Sequence, residues 1–532
     1  MTVIEAEDGL VVIDSGLGFP RHEHPGVDLV LPDYTYLRER NDKIRAIILT
    51  HGHEDHIGGL PYLLREVKVP RIYGTKFTLG LVHSKLDEHG QLRETELVEI
   101  APGDERVAVG PFGVQFVRVA HSIPDAAAVL LDTPGGRILH TGDYKIDHTP
   151  AGGSRTDVER LAELGLQGID LLLGDSTNAE RPGFTPSERI VSEAFRKIIP
   201  SQPGRVLLAS FASNVHRVKQ AIDVGIDTGR YVCIVGRSMR KNINIARSLG
   251  FVSIPDDRLV KPHQLSNLAP EETMIICTGS QGETLSALTR IANSNHPHIS
   301  VEPGDTVIIS AKPVPGNELR VHDTINGLTK AGATVLHHET TAVHVSGHGN
   351  AEELRMMLSL VSPRCVMPVH GEHRMLMAHA RLARDSGVDP DNIVVAENGT
   401  IVELSGEGIS VVGRAEAGVT LVDGLGVGDV RDAALKDRRH LSEHGVLIVV
   451  ATIVVDEARE LGPPEVVTRG LSELEPLVKE ARSQAHETLQ RCLSDGVTDV
   501  KLLQEQLHEE LGKFISDRIG RQPMILPVVL AV

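Results

Sequence analysis

At 532 residues the chain is too long for a single hydrophobic core, so two or three domains are expected. Its hydrophobic content of 41% and charged content of 24% are ordinary for a soluble globular protein. No apolar run is as long as a membrane span and Met1 to Gly9 lacks the order of a signal peptide, so no membrane partner is expected, while a formal charge of −18 argues against a surface coated in basic charge.

From Met1 to about Ser187 the chain reads as short apolar strands between Gly/Pro turns: Gly9–Asp14, Ile44–Thr50, Gly113–Ala120, Gly136–Thr141 and Ile169–Gly174. From about Glu188 to Val343 strands alternate with helices. Helices are predicted over Ile190–Ile199 and Asn214–Val224, and strands over Arg205–Ser210, Tyr231–Gly236 and Thr273–Thr278. That alternation implies βαβ units and a largely parallel sheet. A helix at Ala351–Val361, a strand at Cys365–Val369, a helix at Arg374–Ser386 and several short strands to about Leu421 follow. Gly424 to Gly445 reads as a Gly- and charge-rich connector. The remainder reads as a small α/β appendage: a strand at Val446–Val454, amphipathic helical stretches at Leu471–Leu493 and Val500–Ile519, and a closing strand, Met524–Val532. Cys233, Cys277, Cys365 and Cys492 form no CxxC pair, which implies buried thiols in a reduced, cytoplasmic protein.

The most informative stretch is His51-Gly52-His53-Glu54-Asp55-His56, directly after the apolar run Ile44 to Leu49. A strand end followed by a Gly turn can aim His51 and His53 at one point and Asp55 and His56 at a neighbouring one. Imidazole and carboxylate together suit Zn²⁺ or Mn²⁺, and the absence of Cys argues against a closed structural zinc site. A second feature is Arg205 to Arg247, which holds eight Lys/Arg against two acids in an otherwise acidic chain.

The His-x-His-x-Asp-His pattern resembles the signature of the metallo-β-lactamase fold, an αββα sandwich. The order Asp14, His51 to His56, His121, Asp143 and then His370 matches that family motif by motif. The resemblance implies two divalent ions, Zn²⁺ first and Mn²⁺ second. His51, His53 and His121 would hold one, Asp55, His56 and His370 the other, with Asp143 bridging and Asp14 orienting the metal-binding loop. Two such ions, about 3.5–4 Å apart, activate water near neutral pH and neutralise charge during in-line attack on phosphorus.

The 227 positions between Asp143 and His370 are too many for a loop. They resemble the inserted α/β domain of the β-CASP branch, whose members process nucleic acids. Asp175 in Gly-Asp-Ser-Thr-Asn and His348 in Val-Ser-Gly-His-Gly match that branch's motifs, and a His at position 370 is the mark of its RNA-cutting members. Asp55, Asp143, Asp175 and His348 are the implied catalytic residues. The expected layout is a metallo-β-lactamase domain over 1–187 and 345–425, a β-CASP domain over 188–344, a linker over 426–446 and an α/β domain over 447–532.

Longer strings extend the resemblance to the bacterial ribonuclease J family across essentially the whole chain. They include His-Thr-Gly-Asp-Tyr-Lys (140–145), Phe-Ala-Ser-Asn-Val-His-Arg (211–217), Pro-Gly-Asn-Glu (315–318), Pro-Val-His-Gly-Glu-His-Arg-Met (368–375) and Leu-Lys-Asp-Arg-Arg (435–439). What this implies is 5′-to-3′ exonuclease and endonuclease activity on single-stranded RNA, in mRNA decay and rRNA maturation. A homodimer or homotetramer, with other RNA-decay proteins as further partners, goes with it. Phe211, Ser213, Asn214, His344, Val345, Ser346, Gly347 and His348 resemble the pocket for a 5′-monophosphate and its first nucleotide, and Asp28 and Asp423 resemble a structural-cation site. The family usually opens with a strand and a Glu-Ile-Gly-x-Asn turn that precede the start of this sequence, so either an edge strand of the first sheet is missing or the start lies upstream. Two other classes compete. A small-molecule metallohydrolase leaves the insertion and His348 without purpose, and a catalytically weak RNA-binding paralogue needs a defect that the filled ligand positions do not show.

Overall fold

Leu10 and Val12 face one side of their strand and Val11 and Ile13 the other, and all four are buried. The same split recurs in the neighbouring strand, where Ile47 and Leu49 oppose Ala46 and Ile48. Strands covered on both faces read as unbroken apolar runs, which is why they stand out in the sequence. The computed structural model describes residues 1–21, 23–150, 153–314, 316–424, 426–428, 432–471 and 475–532.

The first sheet runs Thr2–Ala6, Gly9–Ile13, Ile44–Ile48, Arg71–Gly74, Glu96–Glu99, parallel except for the first pair. The second runs Cys365–Val369, Leu171–Asp175, Gly136–His140, Ala127–Thr133, Phe112–Arg118, Val107–Val109, with the first three strands parallel to one another. Val11, Ile13 and Ile48 of the first sheet meet Val114, Phe116, Val129 and Leu173 of the second in one buried core. The outer face of the first sheet is covered by Leu60–Glu66 and Lys76–Glu88, through Leu60, Leu63, Phe77 and Val82. That of the second is covered by Val158–Gln167, Ala351–Val361 and His373–Asp385, through Leu161, Leu354, Leu358 and Leu382. This is the αββα layering expected from the sequence.

The inserted segment builds a third, wholly parallel sheet in the order Leu259–Val260, Tyr231–Val235, Thr273–Cys277, Val206–Ala209, Thr306–Ile309, Thr334–His337. Helices Arg189–Ser201, Val215–Asp227 and Arg237–Ser248 pack on the face of Val206, Leu208 and Ile276. Ala287–Ala292 and Glu318–Lys330 cover Leu207, Cys233 and Cys277 on the other. All four cysteines are free and buried.

The chain forms two compact units, Met1–Leu17 with Leu31–Val419, and Gly18–Val30 with Thr420–Val532. In the second unit Val446–Val454 pairs antiparallel with Glu465–Arg469 and parallel with Met524–Ala531. Helices Glu475–Ser494 and Val500–Ile519 lie on this sheet, and Ala481, Leu489, Leu503, Leu507 and Leu511 are fully buried against Leu447 and Val449. The amphipathic faces of these helices are therefore spent inside the unit. The other side of the sheet carries exposed Val467, Leu526, Val528 and Leu530.

One detail differs from the sequence reading. The stretch read as a connector contains a helix, Asp432–His444, whose Leu435 packs with Val27 and Leu421. Its sparse apolar residues and flanking glycines hide that helix from periodicity. Residues 472–474 of the predicted helical stretch, residues 425 and 429–431 of the predicted connector, and Pro315 of Pro-Gly-Asn-Glu lie outside the described residues. No described helix is long and apolar enough to cross a membrane.

Candidate metal centre

Strand ends deliver most of the candidate ligands. Ile44–Ile48 leads into His51, Phe112–Arg118 into His121, Gly136–His140 into Asp143, and Cys365–Val369 into His370, while Asp175 closes Leu171–Asp175. Carboxyl ends of strands are where open α/β sheets bind ligands. After His51 the chain turns at Gly52 and enters a short helix, Glu54–Ile57, which carries Asp55 and His56. The loop after Asp14 lies against this helix: Ser15 N–H donates to the His56 carbonyl at 2.7 Å, and Leu17 N–H to that of Glu54 at 3.1 Å. A Cβ on Gly16 would stand 1.6 Å from the Asp55 carbonyl oxygen, so only glycine permits the approach.

Asp14 and His370 both adopt left-handed backbone, at φ +59° and +54°. Outside glycine such conformations cost roughly 1–3 kcal/mol and cluster at functional sites. Asp14 uses its turn to accept from Thr50 N–H at 2.8 Å and from Thr50 Oγ1 at 2.7 Å, while its Oδ2 lies 2.7 Å from His56 Nδ1. That contact fixes the His56 ring and leaves Nε2 facing the centre.

The ligand atoms converge as overlapping sets that share Asp143. His53 Nδ1 lies 2.9 Å from His51 Nε2 and 3.1 Å from His121 Nε2. Asp143 Oδ2 is 3.6 Å and 3.7 Å from the same two Nε2 atoms. It is also 3.3 Å from His56 Nε2, which is 3.7 Å from Asp55 Oδ2. Asp55 Oδ2 in turn lies 3.5 Å from His370 Nε2. Among the described residues His51, His53, His121 and Asp143 thus form one candidate metal-holding group, Asp55, His56, Asp143 and His370 a second, and Asp143, Asp175, His348 and His370 a third. A metal held by nitrogens at about 2.0–2.1 Å in tetrahedral geometry separates them by about 3.4 Å, close to the spacing here.

The electrostatics favour a cation. Burial, reinforced by neighbouring imidazoles, holds His51 and His121 well below the ordinary histidine range, and burial holds His53 at about 4, so these rings are neutral with free lone pairs. Burial opposes charge on His56 as well, but Asp143, Asp55 and Asp14 outweigh it and push it up to about 10. A buried carboxylate needs compensating charge, and protons on His56 supply it where a divalent ion could. Among the described residues His56 Nε2 and Asp143 Oδ1 are buried without a hydrogen-bond partner. The nitrogen and oxygen donors, the orphaned atoms and the shared carboxylate fit divalent metal ions.

Asp175 and His348 join the same centre. Their Oδ2 and Nδ1 are 2.8 Å apart, leaving His348 Nε2 3.9 Å from Asp143 Oδ2. The segment 344–348 closes over it: His121 Nδ1 donates to the Gly347 carbonyl at 2.8 Å, and a Cβ on Gly347 would stand 2.8 Å from the His121 ring. Ser346 Oγ accepts from Asn178 Nδ2 at 2.9 Å, and Val345 is buried. Phe211 and Ser213 are half-buried at the start of Val215–Asp227, and Asn214 is its N-cap, accepting from Arg217 N–H at 3.2 Å. Asp28 accepts from Gly424 N–H at 2.8 Å, and Asp423 pairs with Arg438, so a guanidinium already balances that carboxylate.

The basic run of Arg205 to Arg247 is mostly internal. Arg205 pairs with Asp305, Arg247 with Asp256 and Lys241 with Glu88, Arg230 donates to backbone carbonyls, and Arg217 is wholly buried. Arg237 and Arg240 remain exposed. Residues not singled out in the sequence also serve the centre. Thr177 Oγ1 lies 3.0 Å from His370 Nδ1, and Asn178 donates to Ser346 and to the His348 carbonyl. Both belong to the Gly-Asp-Ser-Thr-Asn string, which was the available signal.

Comparison with known proteins decides the family. The metallo-beta-lactamase superfamily matches residues 1–206, the beta-CASP domain of ribonuclease J 203–328, the Zn-dependent metallo-hydrolase RNA specificity domain 336–395, and the ribonuclease J C-terminal domain 433–532. Ribonuclease J 1 of Streptococcus pyogenes is 40% identical over 530 residues, spanning 99% of this chain and 94% of that protein. The chain belongs to the ribonuclease J family. Ribonuclease J of Thermus thermophilus is 43% identical over 542 residues, 100% of this chain and 92% of its own length, and ribonuclease J2 of Bacillus subtilis is 39% identical over 533 residues, 100% and 96%. A crystal structure of an Enterococcus faecalis protein of unknown function shares the fold at a TM-score of 0.50 and 17% identity, over 74% of this chain and 94% of that one.

Asp143→Ala removes the carboxylate common to both ligand sets. Metal analysis of the purified variant should show loss of both ions, and full occupancy would refute the sharing.

Proposed function

We propose that this member of the ribonuclease J family is a metal-dependent ribonuclease that degrades single-stranded RNA from a 5′-monophosphate in the 5′-to-3′ direction and also cleaves internally, with roles in mRNA decay and rRNA maturation. The observation that carries the reading is the single segment 344–348. It hydrogen-bonds a candidate metal ligand through Gly347, and it supplies His348 beside Asp143. Zn²⁺ is the first choice of metal and Mn²⁺ the second, from the donor set. When bound, two such ions supply an activated water at neutral pH and neutralise charge gathering on phosphorus. Asp14 orients His56 and Asp143 is shared by both ligand sets. Asp175 holds His348 through Nδ1, so that its Nε2 can give a proton to the leaving oxygen.

Ser213, Asn214, His344, Ser346 and Gly347 would hold the 5′-monophosphate, with Phe211 beside the first base. Each cut leaves a new 5′-monophosphate able to enter the same pocket, which gives processive release of mononucleotides. The bounds of 188–344 given above for the inserted domain are retained, since the third sheet, from Val206 to His337, falls within them, while the helix Asp432–His444 joins the 426–446 stretch to the second unit. Asp28 and Asp423 stay as a structural-cation proposal weakened by Arg438. Because the basic run is internally paired, RNA cleaved internally would lean on Arg237 and Arg240 rather than on the run as a whole. Self-association as a homodimer or homotetramer is supported by the exposed apolar face of the second unit's sheet, not by its helices.

His348→Ala should keep both metals by elemental analysis while turnover falls about 10²–10⁴-fold, the usual contribution of a general acid; loss of metal would make it a ligand instead. Transcripts differing only at the 5′ end should separate, with monophosphate degraded exonucleolytically and triphosphate resistant. Equal rates would remove end selection by the pocket. Leu526→Lys combined with Leu530→Lys should lower the sedimenting mass of the full chain, whereas an unchanged oligomer would exclude that sheet face.

A further inference from the structure

Arg217 exposes none of its surface, which is unusual for the residue type. Its guanidinium joins three parts of the chain. Nη2 donates to Glu188 Oε1 at 2.6 Å and to the Val345 carbonyl at 3.0 Å. Nη1 donates to the Ser310 carbonyl at 3.2 Å and to His344 Nδ1 at 2.7 Å. A guanidinium has no lone pair to offer, so Nδ1 of His344 must be the acceptor. A neutral imidazole accepting at Nδ1 carries its proton on Nε2. Burial, followed by the charge of Arg217, holds His344 down to about 2, so the ring stays neutral. Among the described residues Nε2 has no hydrogen-bond partner, which leaves one donor of fixed identity at the start of the segment 344–348.

The same residue also serves the other wall. Asn214, which the sequence assigns to the pocket, uses its side chain to accept from the backbone N–H of Arg217. The helix start and the segment 344–348 are thus tied through one buried arginine, whose charge is balanced by Glu188, with Lys145 Nζ 3.8 Å from the same carboxylate oxygen.

We propose that Arg217 is a positioning residue for 5′-end recognition, fixing His344 as a neutral Nε2–H donor to a terminal phosphate. This rests on the reading that 344–348 forms the 5′-phosphate pocket. A neutral donor of fixed direction recognises one phosphate by geometry. An imidazolium would instead gain with each added negative charge and favour more heavily charged ends.

The test is equilibrium binding of the full chain, without added metal, to 2′-O-methyl oligoribonucleotides that carry or lack a 5′-monophosphate. The unaltered chain should prefer the phosphorylated probe. Arg217→Met combined with Glu188→Gln removes the buried pair together and should reduce that preference about tenfold, the scale of one hydrogen bond to a charged group. Arg217→Lys keeps a cation beside Glu188 and should restore part of it. In a His344→Ala background the Arg217 change should add nothing further, because coupled residues are not additive. If the double variant does not give a cooperative thermal transition, Arg217→Lys alone decides, with a preference below that of the unaltered chain as the supporting result. Equal binding of the two probes by the unaltered chain overturns the pocket and with it the role of Arg217. A preference that survives undiminished in the folded Arg217 variants, or that falls additively with His344→Ala, overturns the role of Arg217 alone.

Discussion

A carboxylate held almost out of reach of water organises this molecule. Asp143 is 2% exposed, and its oxygens face His56, His51 and His121, with His370 Nδ1 at 3.4 Å. Such a group is tolerated only with compensating charge close by. The compensating side chains come from the ends of strands in two different sheets, so the sheets must pack in a single relative position. The continuous core between them, from Val11 and Ile48 to Phe116 and Leu173, provides that rigidity. A one-residue slip in any of these strands would turn its ligand away from the centre. Packing density and metal-site geometry are therefore one requirement.

Much of this was legible because it is local. Strands buried on both faces leave apolar runs, and each run ends in the residue it delivers, as Ile44–Ile48 delivers His51. The βαβ alternation of the insertion could be read for the same reason. What escaped depends on partners distant in sequence. The window of Arg205 to Arg247 counts as strongly positive in the sequence because the acids that neutralise it lie elsewhere, Asp305 for Arg205 and Glu88 for Lys241. The helices Glu475–Ser494 and Val500–Ile519 are amphipathic in the sequence, which does not say what covers their apolar faces; their own sheet does. Asp423 looked like a cation ligand until Arg438 was placed beside it.

The insertion leaves the centre after Asp143 and Asp175 and returns before His370, so the chain must close a large detour at a point of tight geometry. It does so through segment 344–348. Gly347 accepts the Nδ1–H of His121, which leaves the His121 Nε2 lone pair for a metal; His348 takes up Asp175; and Arg217 grips His344 and Val345 from the insertion side. Five consecutive residues therefore carry the contacts that orient a candidate metal ligand, hold an imidazole against Asp175 and receive the buried guanidinium of Arg217. Shifting any one of them moves the other two, because the backbone between them is short and hydrogen-bonded on both sides. One short segment accordingly sets the orientation of a candidate metal ligand and the anchoring of the inserted domain.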